Sequence, residues 1–158
     1  MSYKAGVITV SDSCSKGAVD ASGPAVAGML RDAGFDIAYT NIVPSNISII
    51  RSELEKCSDD LELDLVITSG GTGLSPRDVT PEATRAVIVR EVPGIVQAMI
   101  AEGLRSTPRA MLTRAVAGTR SSTLIINVPG SEKAARENLG AVIDTLEHAL
   151  NMLAGSGR

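Results

Sequence analysis

The chain has 158 residues, 44% of them hydrophobic, enough to bury the core of one domain. Fifteen Lys and Arg against 18 Asp and Glu give a net charge of −3, and 2% aromatic content leaves few stacking platforms, so a nucleic-acid surface is not expected. No apolar run approaches the roughly 20 residues of a membrane span, Met1-Ser2-Tyr3-Lys4-Ala5 is no signal peptide, and Cys14 and Cys57 fit no metal or redox spacing, so a soluble cytoplasmic protein with reduced thiols is expected.

From the start, Ala5-Gly6-Val7-Ile8-Thr9-Val10 is a β-branched apolar run of the kind buried on both faces of a parallel sheet. It ends at Ser11-Asp12-Ser13, short polar side chains suited to a turn at the carboxyl edge. A polar loop from Cys14 to Ser22 follows, carrying Lys16, Gly17 and Asp20. Ser22-Gly23-Pro24 opens a helix with Val26, Met29, Leu30 and Ala33 on one face, and Gly34 closes it. Phe35 to Val43 alternates loosely, placing Ile37, Tyr39 and Val43 on one side of a second strand. Pro44-Ser45-Asn46 then leads into a helix bearing Ile47, Ile50, Leu54 and Cys57.

The stretch from Leu65 to Ala83 is the richest in the chain. Leu65-Val66-Ile67-Thr68 reads as a third buried strand and stops at Ser69-Gly70-Gly71-Thr72-Gly73. Three glycines in four residues allow positive φ and close approach of a ligand to the main chain. The exposed N–H groups of such a turn form an anion-binding concavity without a lysine. Arg77 and Asp78 come next, and then a helix start with Thr80 as N-cap and Pro81 at the first helical position. One strand end thus delivers a glycine cradle, an arginine, a carboxylate and a positive helix terminus, which suits a phosphate-bearing ligand. No Gly-Lys-Ser/Thr follows and no G-x-G-x-x-G spacing is present, so this is neither a Walker A loop nor a Rossmann fingerprint.

Beyond Glu82 the helical pattern runs to about Arg90, breaks at Pro93-Gly94 and resumes through Val96, Met99, Ile100 and Gly103. Thr107-Pro108-Arg109 interrupts it again, and Ala110 to Ala117 reads as a short helix ending at Gly118. Thr123-Leu124-Ile125-Ile126-Asn127-Val128 is the last strong strand, ending at Pro129-Gly130-Ser131. Ser131 caps a final helix with apolar Ala135, Leu139, Val142, Leu146, Leu150 and Leu153. Alternating strands and helices predict a single α/β domain over residues 1–153, with a mostly parallel sheet covered by helices on both faces and a disordered tail at 154–158. Ligands of such sheets sit at the carboxyl ends of the strands. The turns Ser11-Asp12-Ser13, Gly70 to Asp78 and Pro129-Gly130-Ser131 line one crevice if their strands are neighbours.

Asp78 is the leading candidate for chemistry. A carboxylate beside a glycine cradle can hold Mg²⁺ or orient a substrate hydroxyl, while a salt bridge to Arg77 or a turn cap explains the same residue. Asp12 is a second crevice carboxylate or a plain Asx turn. Ser131 can cap its helix and donate to a phosphate at once. Glu82 is accounted for by the helix dipole, His148 by solvent, and Met29, Met99, Met111 and Met152 by core packing. Arg105, Arg109, Arg114 and Arg120 suit an anionic ligand, a solvated face or subunit contacts.

These motifs resemble a known family. Thr68-Ser69-Gly70-Gly71-Thr72-Gly73 followed by Ser75-Pro76-Arg77-Asp78-Val79-Thr80-Pro81-Glu82-Ala83 is similar to the signature of the molybdopterin adenylyltransferases, which include bacterial MogA and MoaB proteins and the G domains of gephyrin-like homologues. The likeness continues in Ser11-Asp12, Asp20-x-Ser22-Gly23-Pro24, Val92-Pro93-Gly94, Thr107 to Gly118, and Asn127-Val128-Pro129-Gly130-Ser131. The resemblance implies a three-layer α/β/α sandwich, a homotrimer, and transfer of AMP from Mg-ATP to the terminal phosphate of molybdopterin with release of pyrophosphate. It places that reaction in molybdenum cofactor biosynthesis, with the adenylylated pterin passing to a molybdate-inserting partner. By motif position, Asp78 matches the family's essential aspartate, catalytic and in contact with Mg²⁺. Ser69, Gly70, Gly71, Thr72, Gly73 and Ser131 match ligand-binding loops, and the crevice adds Ser11, Asp12, Pro129 and Gly130 to the substrate-binding set.

One position departs from the family pattern. The family often has Val-Pro-Asp at the start of the second helix, with that Asp in the active site, and here the triplet is Val43-Pro44-Ser45. A carboxylate is missing, and Asp12 or Asp20 is its expected replacement. The alternative reading is therefore a non-catalytic molybdopterin-binding paralogue; a more distant rival is an α/β nucleotide-binding regulatory domain unrelated to pterins.

Overall fold

In a computed structural model, which describes residues 2–155, the chain runs β1 (Lys4–Val10), α1 (Asp12–Ser15), α2 (Ser22–Asp32), β2 (Asp36–Val43), α3 (Ile47–Glu55), β3 (Leu65–Ser69), α4 (Thr80–Val87), β4 (Arg90–Glu91), α5 (Pro93–Ser106), β5 (Ala117–Arg120), β6 (Thr123–Val128) and α6 (Glu132–Leu153). A π-helical turn, Lys56–Asp60, extends α3, and a 3₁₀ turn, Pro108–Leu112, follows α5. The strands form one sheet in the order β2-β1-β3-β6-β5-β4, parallel from β2 to β6 and antiparallel at β5 and β4.

Three of these strands have no polar side to show to water. β3 and β6 are buried along their whole length, and β1 from Ala5 onward. Their side chains alternate between two cores. Val7, Ile67 and Ile126 pack with Leu30 of α2, Met99 of α5 and Leu139 of α6 on one face. Ile8, Val66 and Ile125 pack with Ile50 and Leu54 of α3 and Val87 of α4 on the other. The result is a three-layer α/β/α sandwich. Each fully buried aliphatic side chain contributes about 1.5–3 kcal/mol, and truncating one to Ala costs roughly 2–5 kcal/mol.

Several local readings are corrected by tertiary structure. The α4 helix ends at Val87, because the next residues form the edge strand β4 against β5. Residues 110–117 do not form a helix. The 3₁₀ turn stops at Leu112, and Ala117–Arg120 is β5, hairpinned to β6 through Ser121-Ser122 with Ser121 at φ 52. Pairing to a buried neighbour outweighs the helix propensity of this Ala-rich stretch. Thr80 is not the cap of α4 but its first residue; Val79 stands at the cap, and the Thr80 hydroxyl donates to the Gly70 carbonyl at 2.9 Å. The loop after β1 begins with the one-turn helix α1, capped by Ser11, which accepts from Cys14 N. Met99 is core, but Met111 and Met152 are 61% and 59% exposed. At the carboxyl end Ala154 and Gly155 form a turn, and residues 156–158 lie outside the described residues. Among the described residues no helix is long and apolar enough to cross a membrane.

Candidate active site

The sheet order makes β1, β3 and β6 neighbours, and the pairings Thr9↔Ser69 and Ser69↔Val128 align their carboxyl ends. The three turns therefore meet backbone to backbone. Gly70 N donates to Val128 O at 3.0 Å. A Cβ on Gly70 would stand 2.3 Å from Val10 O, and one on Gly130 would stand 3.2 Å from Gly70 Cα. Gly70 (φ 106) and Gly71 (φ 70) both occupy the left-handed region. Gly71 has a second constraint, since a Cβ there would lie 2.3 Å from Thr80 Oγ1. The glycines are needed by the fold itself, whatever else they serve.

Two cavities open at this edge. One of about 420 Å³ is polar and is lined by Ser11, Asp20, Ser69, Gly70, Gly71 and Gly130. The other, of about 350 Å³, is mostly apolar and lies between α5, the 3₁₀ turn and α6, with Met99, Ile100 and Leu112 on its walls and Thr72, Gly73 and Pro129 at its inner end. Ser131 borders both, so they form two lobes of one crevice. Its hydroxyl accepts from Ala134 N at the start of α6. Ser69 is fully buried and spends its hydroxyl on the fold, hydrogen-bonding Ser22 Oγ (2.8 Å) and the Pro129 carbonyl (3.0 Å). Asp20 is also engaged: it accepts from Thr9 Oγ1 at 2.7 Å and from Gly23 N at 3.1 Å, tying the start of α2 to β1.

Arg77 and Asp78 part company. Arg77 reaches across to Asp12 and binds it through two contacts, Nε to Oδ2 at 3.0 Å and Nη2 to Oδ1 at 2.9 Å. Ser45 N also donates to Asp12 Oδ1, at 2.9 Å. Hydrogen bonding from Arg77 first, then from Ser45, holds the Asp12 carboxyl below the ordinary aspartate range. Asp12 is thus neither a free crevice carboxylate nor a simple Asx turn but a link from the end of β1 to the Arg77 loop and to Ser45. Asp78 folds back over its own turn, where Oδ2 accepts from Ser75 N at 3.0 Å beside Gly73. No bond to Oδ1 is formed among the described residues.

Arg114 is indistinguishable in sequence from the arginines around it, and it is the residue that fixes this loop. Its Nε donates to Gly73 O (2.8 Å), its Nη2 to Asp78 O (2.8 Å) and its Nη1 to Glu82 Oε2 (2.7 Å), while its backbone N donates to Thr72 O (2.8 Å). Arg114 holds the Glu82 carboxyl below its ordinary range, chiefly through the side-chain hydrogen bond. Of the other arginines, Arg105 pairs with Glu102 on its own helix and Arg120 ties Asp59 of the π-helical turn to the Val87 carbonyl. Arg109 lines the apolar lobe.

No group of three or more His, Cys, Asp or Glu among the described residues can enclose a metal ion. The donors do not fit a resident cation. They do fit Mg²⁺ that arrives with nucleotide phosphates, since such an ion takes one or two protein carboxylates and Asp78 retains an unused oxygen.

Comparison with known proteins is consistent throughout. Residues 6–148 match the family described as "Probable molybdopterin binding domain". The molybdopterin adenylyltransferase of Helicobacter pylori strain 26695 is 38% identical over 154 residues, covering 96% of this chain and 88% of the relative. Gephyrin of Dictyostelium discoideum is 40% identical over 159 residues, a match that takes in 94% of this chain but 22% of gephyrin. The crystal structure of the molybdopterin biosynthesis enzyme MoaB from Thermus thermophilus superposes with a TM-score of 0.92 at 46% identity, covering 97% of both chains. With the fold, the glycine turn and most of the length held in common, this chain belongs to the molybdopterin-binding domain family that includes the bacterial molybdopterin adenylyltransferases.

Proposed function

We propose that this protein is a molybdopterin adenylyltransferase, a nucleotidyltransferase that moves AMP from Mg-ATP onto the terminal phosphate of molybdopterin and releases pyrophosphate in molybdenum cofactor biosynthesis. The observation that carries this reading is the two-lobed crevice: a lysine-free polar lobe at aligned strand ends joined to an apolar slot large enough for a flat ring. In this reading the Gly70-Gly71 backbone, Ser11, Gly130 and Ser131 receive phosphate oxygens at the start of α6, where the helix dipole favours negative charge. Thr72, Gly73 and Pro129 border the ring.

A phosphate oxygen of molybdopterin forms a bond to the α-phosphorus of ATP, and the bond from that phosphorus to the bridging oxygen of pyrophosphate breaks. The nucleophile is already anionic, so no general base is needed; alignment and charge neutralisation are what the protein must supply. Mg²⁺ entering with the nucleotide supplies that neutralisation, with Asp78 as its protein carboxylate. The role of Arg114 is to hold the Gly73 and Asp78 carbonyls in place and thereby to aim Asp78. Cytoplasmic location, a homotrimeric assembly and hand-over of product to a molybdate-inserting protein belong to the same proposal.

Pyrophosphate release from ATP and molybdopterin in the presence of Mg²⁺ is the test. Release that requires the pterin is expected. Tight pterin binding by fluorescence titration with no pyrophosphate at any Mg²⁺ concentration would assign the chain to the non-catalytic binding proteins. No binding of either substrate would remove the crevice from both readings.

A further inference from the structure

One polar side chain in the crevice is left over from the fold. Asn138 lies on the inner face of α6 beside Ala135 and Leu139, and only 5% of it is exposed. Its carboxamide has no hydrogen-bond partner among the described residues. Among those residues, no side-chain nitrogen or oxygen that is wholly sealed lacks a partner. The unpaired amide of Asn138 is therefore not sealed; it opens onto the apolar lobe that it lines. On the facing helix α5 stands Gly103, where a Cβ would come within 3.7 Å of Asn138 Nδ2. Met99, Ile100 and Leu112 supply apolar walls to that slot, while Arg109 and Glu137 also border it.

Folding alone gives no reason for this residue. An amide buried without a partner is unfavourable, and a leucine, branched in the same way, would bring no polar group to be satisfied. The position makes sense if the missing partner is a ligand. A carboxamide offers one acceptor and two donors in one plane, which matches the adjacent donor and acceptor on the edge of an aminopyrimidine-type ring. The apolar walls hold the faces of such a ring, and the amide reads its edge.

We infer that Asn138 is a specificity-determining residue that hydrogen-bonds the donor–acceptor edge of a flat nitrogen heterocycle seated in the apolar lobe between α5 and α6. This rests on the proposed function, in which that lobe holds a substrate ring. Two rings carry the required edge, the adenine of the nucleotide and the pterin of the acceptor, and the experiment separates them.

Calorimetric titration of the full chain uses two probes, AMP and a 6-substituted pterin monophosphate, on the wild type, Asn138→Leu and Asn138→Ala. Loss of one hydrogen-bonded edge in a largely apolar slot is expected to weaken one probe by about tenfold or more in both variants. The other probe should stay within about threefold, well inside the effect of one lost polar contact. Thermal unfolding of Asn138→Leu should occur at or above the wild-type temperature, because the variant removes an unpaired buried amide. Alanine guards against leucine merely blocking the slot. Unchanged affinity for both probes overturns the inference while leaving the crevice reading intact. Equal loss of both probes, or a lowered unfolding temperature in Asn138→Leu with affinities unchanged, overturns it as well, because each marks a structural role. If neither probe binds the wild type, the crevice reading falls and this inference with it.

Discussion

Asp78 does two things at once, and a single substitution separates them. Oδ2 accepts from Ser75 N and shapes the turn beside Gly73, which lines the apolar lobe, while Asp78 itself lies outside the lining of both lobes and its Oδ1 takes no hydrogen bond among the described residues. Asn at this position keeps an oxygen for Ser75 N and loses only the charge. Asp78→Asn is therefore expected to fold with near-normal stability and nearly normal pterin binding, with turnover lower by on the order of 10²-fold or more. A rate within a few-fold of wild type would take Asp78 out of the chemistry. Ser45 poses the opposite question. Its backbone already touches Asp12, so an Asp there adds a carboxylate next to one that Arg77 neutralises. Ser45→Asp is expected to lower the Mg²⁺ concentration needed for half-maximal rate and to raise the rate, since two carboxylates hold the ion better than one. An unchanged Mg²⁺ profile would show that position 45 stands apart from the metal and that the Val-Pro-Ser triplet is a harmless substitution.

Between elements, the decisive contact is the clasp of Arg114 on the loop before α4. Four hydrogen bonds through Nε, Nη1 and Nη2 pin Gly73, Asp78 and Glu82 together. The Glu82 carboxyl is held below its ordinary range, so its pairing adds stability above the unfolded value of about 4.3 and loses it as pH falls through the lower folded value. The pair is partly exposed, which limits Glu82→Gln to about 1 kcal/mol or less at neutral pH. Melting curves from pH 7 to 3 should therefore show wild type above Glu82→Gln at pH 7 and the gap closing below about pH 4. Parallel curves would deny the pair any role in acid stability. Arg114→Met, which strips donors from two backbone carbonyls as well, should cost roughly 1–3 kcal/mol and depress turnover through the loosened Asp78. None of this clasp is visible in sequence, because Arg114 and Gly73 meet only through the sheet topology, 41 positions apart. The buried strands are legible, since Leu65 to Thr68 and Thr123 to Val128 carry their environment in their composition. β4 and β5 are not. β4 is two exposed residues, Arg90 and Glu91, and Ser121 takes positive φ in a turn where Asn or Gly would have announced a hairpin. Asn138 does leave a trace: a polar residue three positions after Ala135 on an otherwise apolar helix face.

The whole molecule presents an apolar groove at the margin of its core. A groove of about 290 Å³ between α5 and α6 is lined by Val92, Ile95, Ala98, Ala141, Thr145 and Ala149, and small residues along both helices let another backbone approach closely. The nearby stretch adds exposed Leu104, Met111 and Leu112, while Val96 and Met99 pack inward against the core. The family resemblance implies three copies, and this apolar face is the one we expect to be buried between them. Light scattering at micromolar concentration is expected to return three times the chain mass. The mass should hold at high salt, because contact through aliphatic groups is not screened as ion pairs are. Ala141 is exposed on α6, and Arg is nearly as good a helix former as Ala, so Ala141→Arg leaves the monomer fold alone while placing a charge in the groove. The variant should scatter as a monomer with an unchanged circular dichroism spectrum. A variant that remains trimeric moves the contact to the Leu104–Leu112 side, and a wild type that scatters as a monomer removes the trimer altogether.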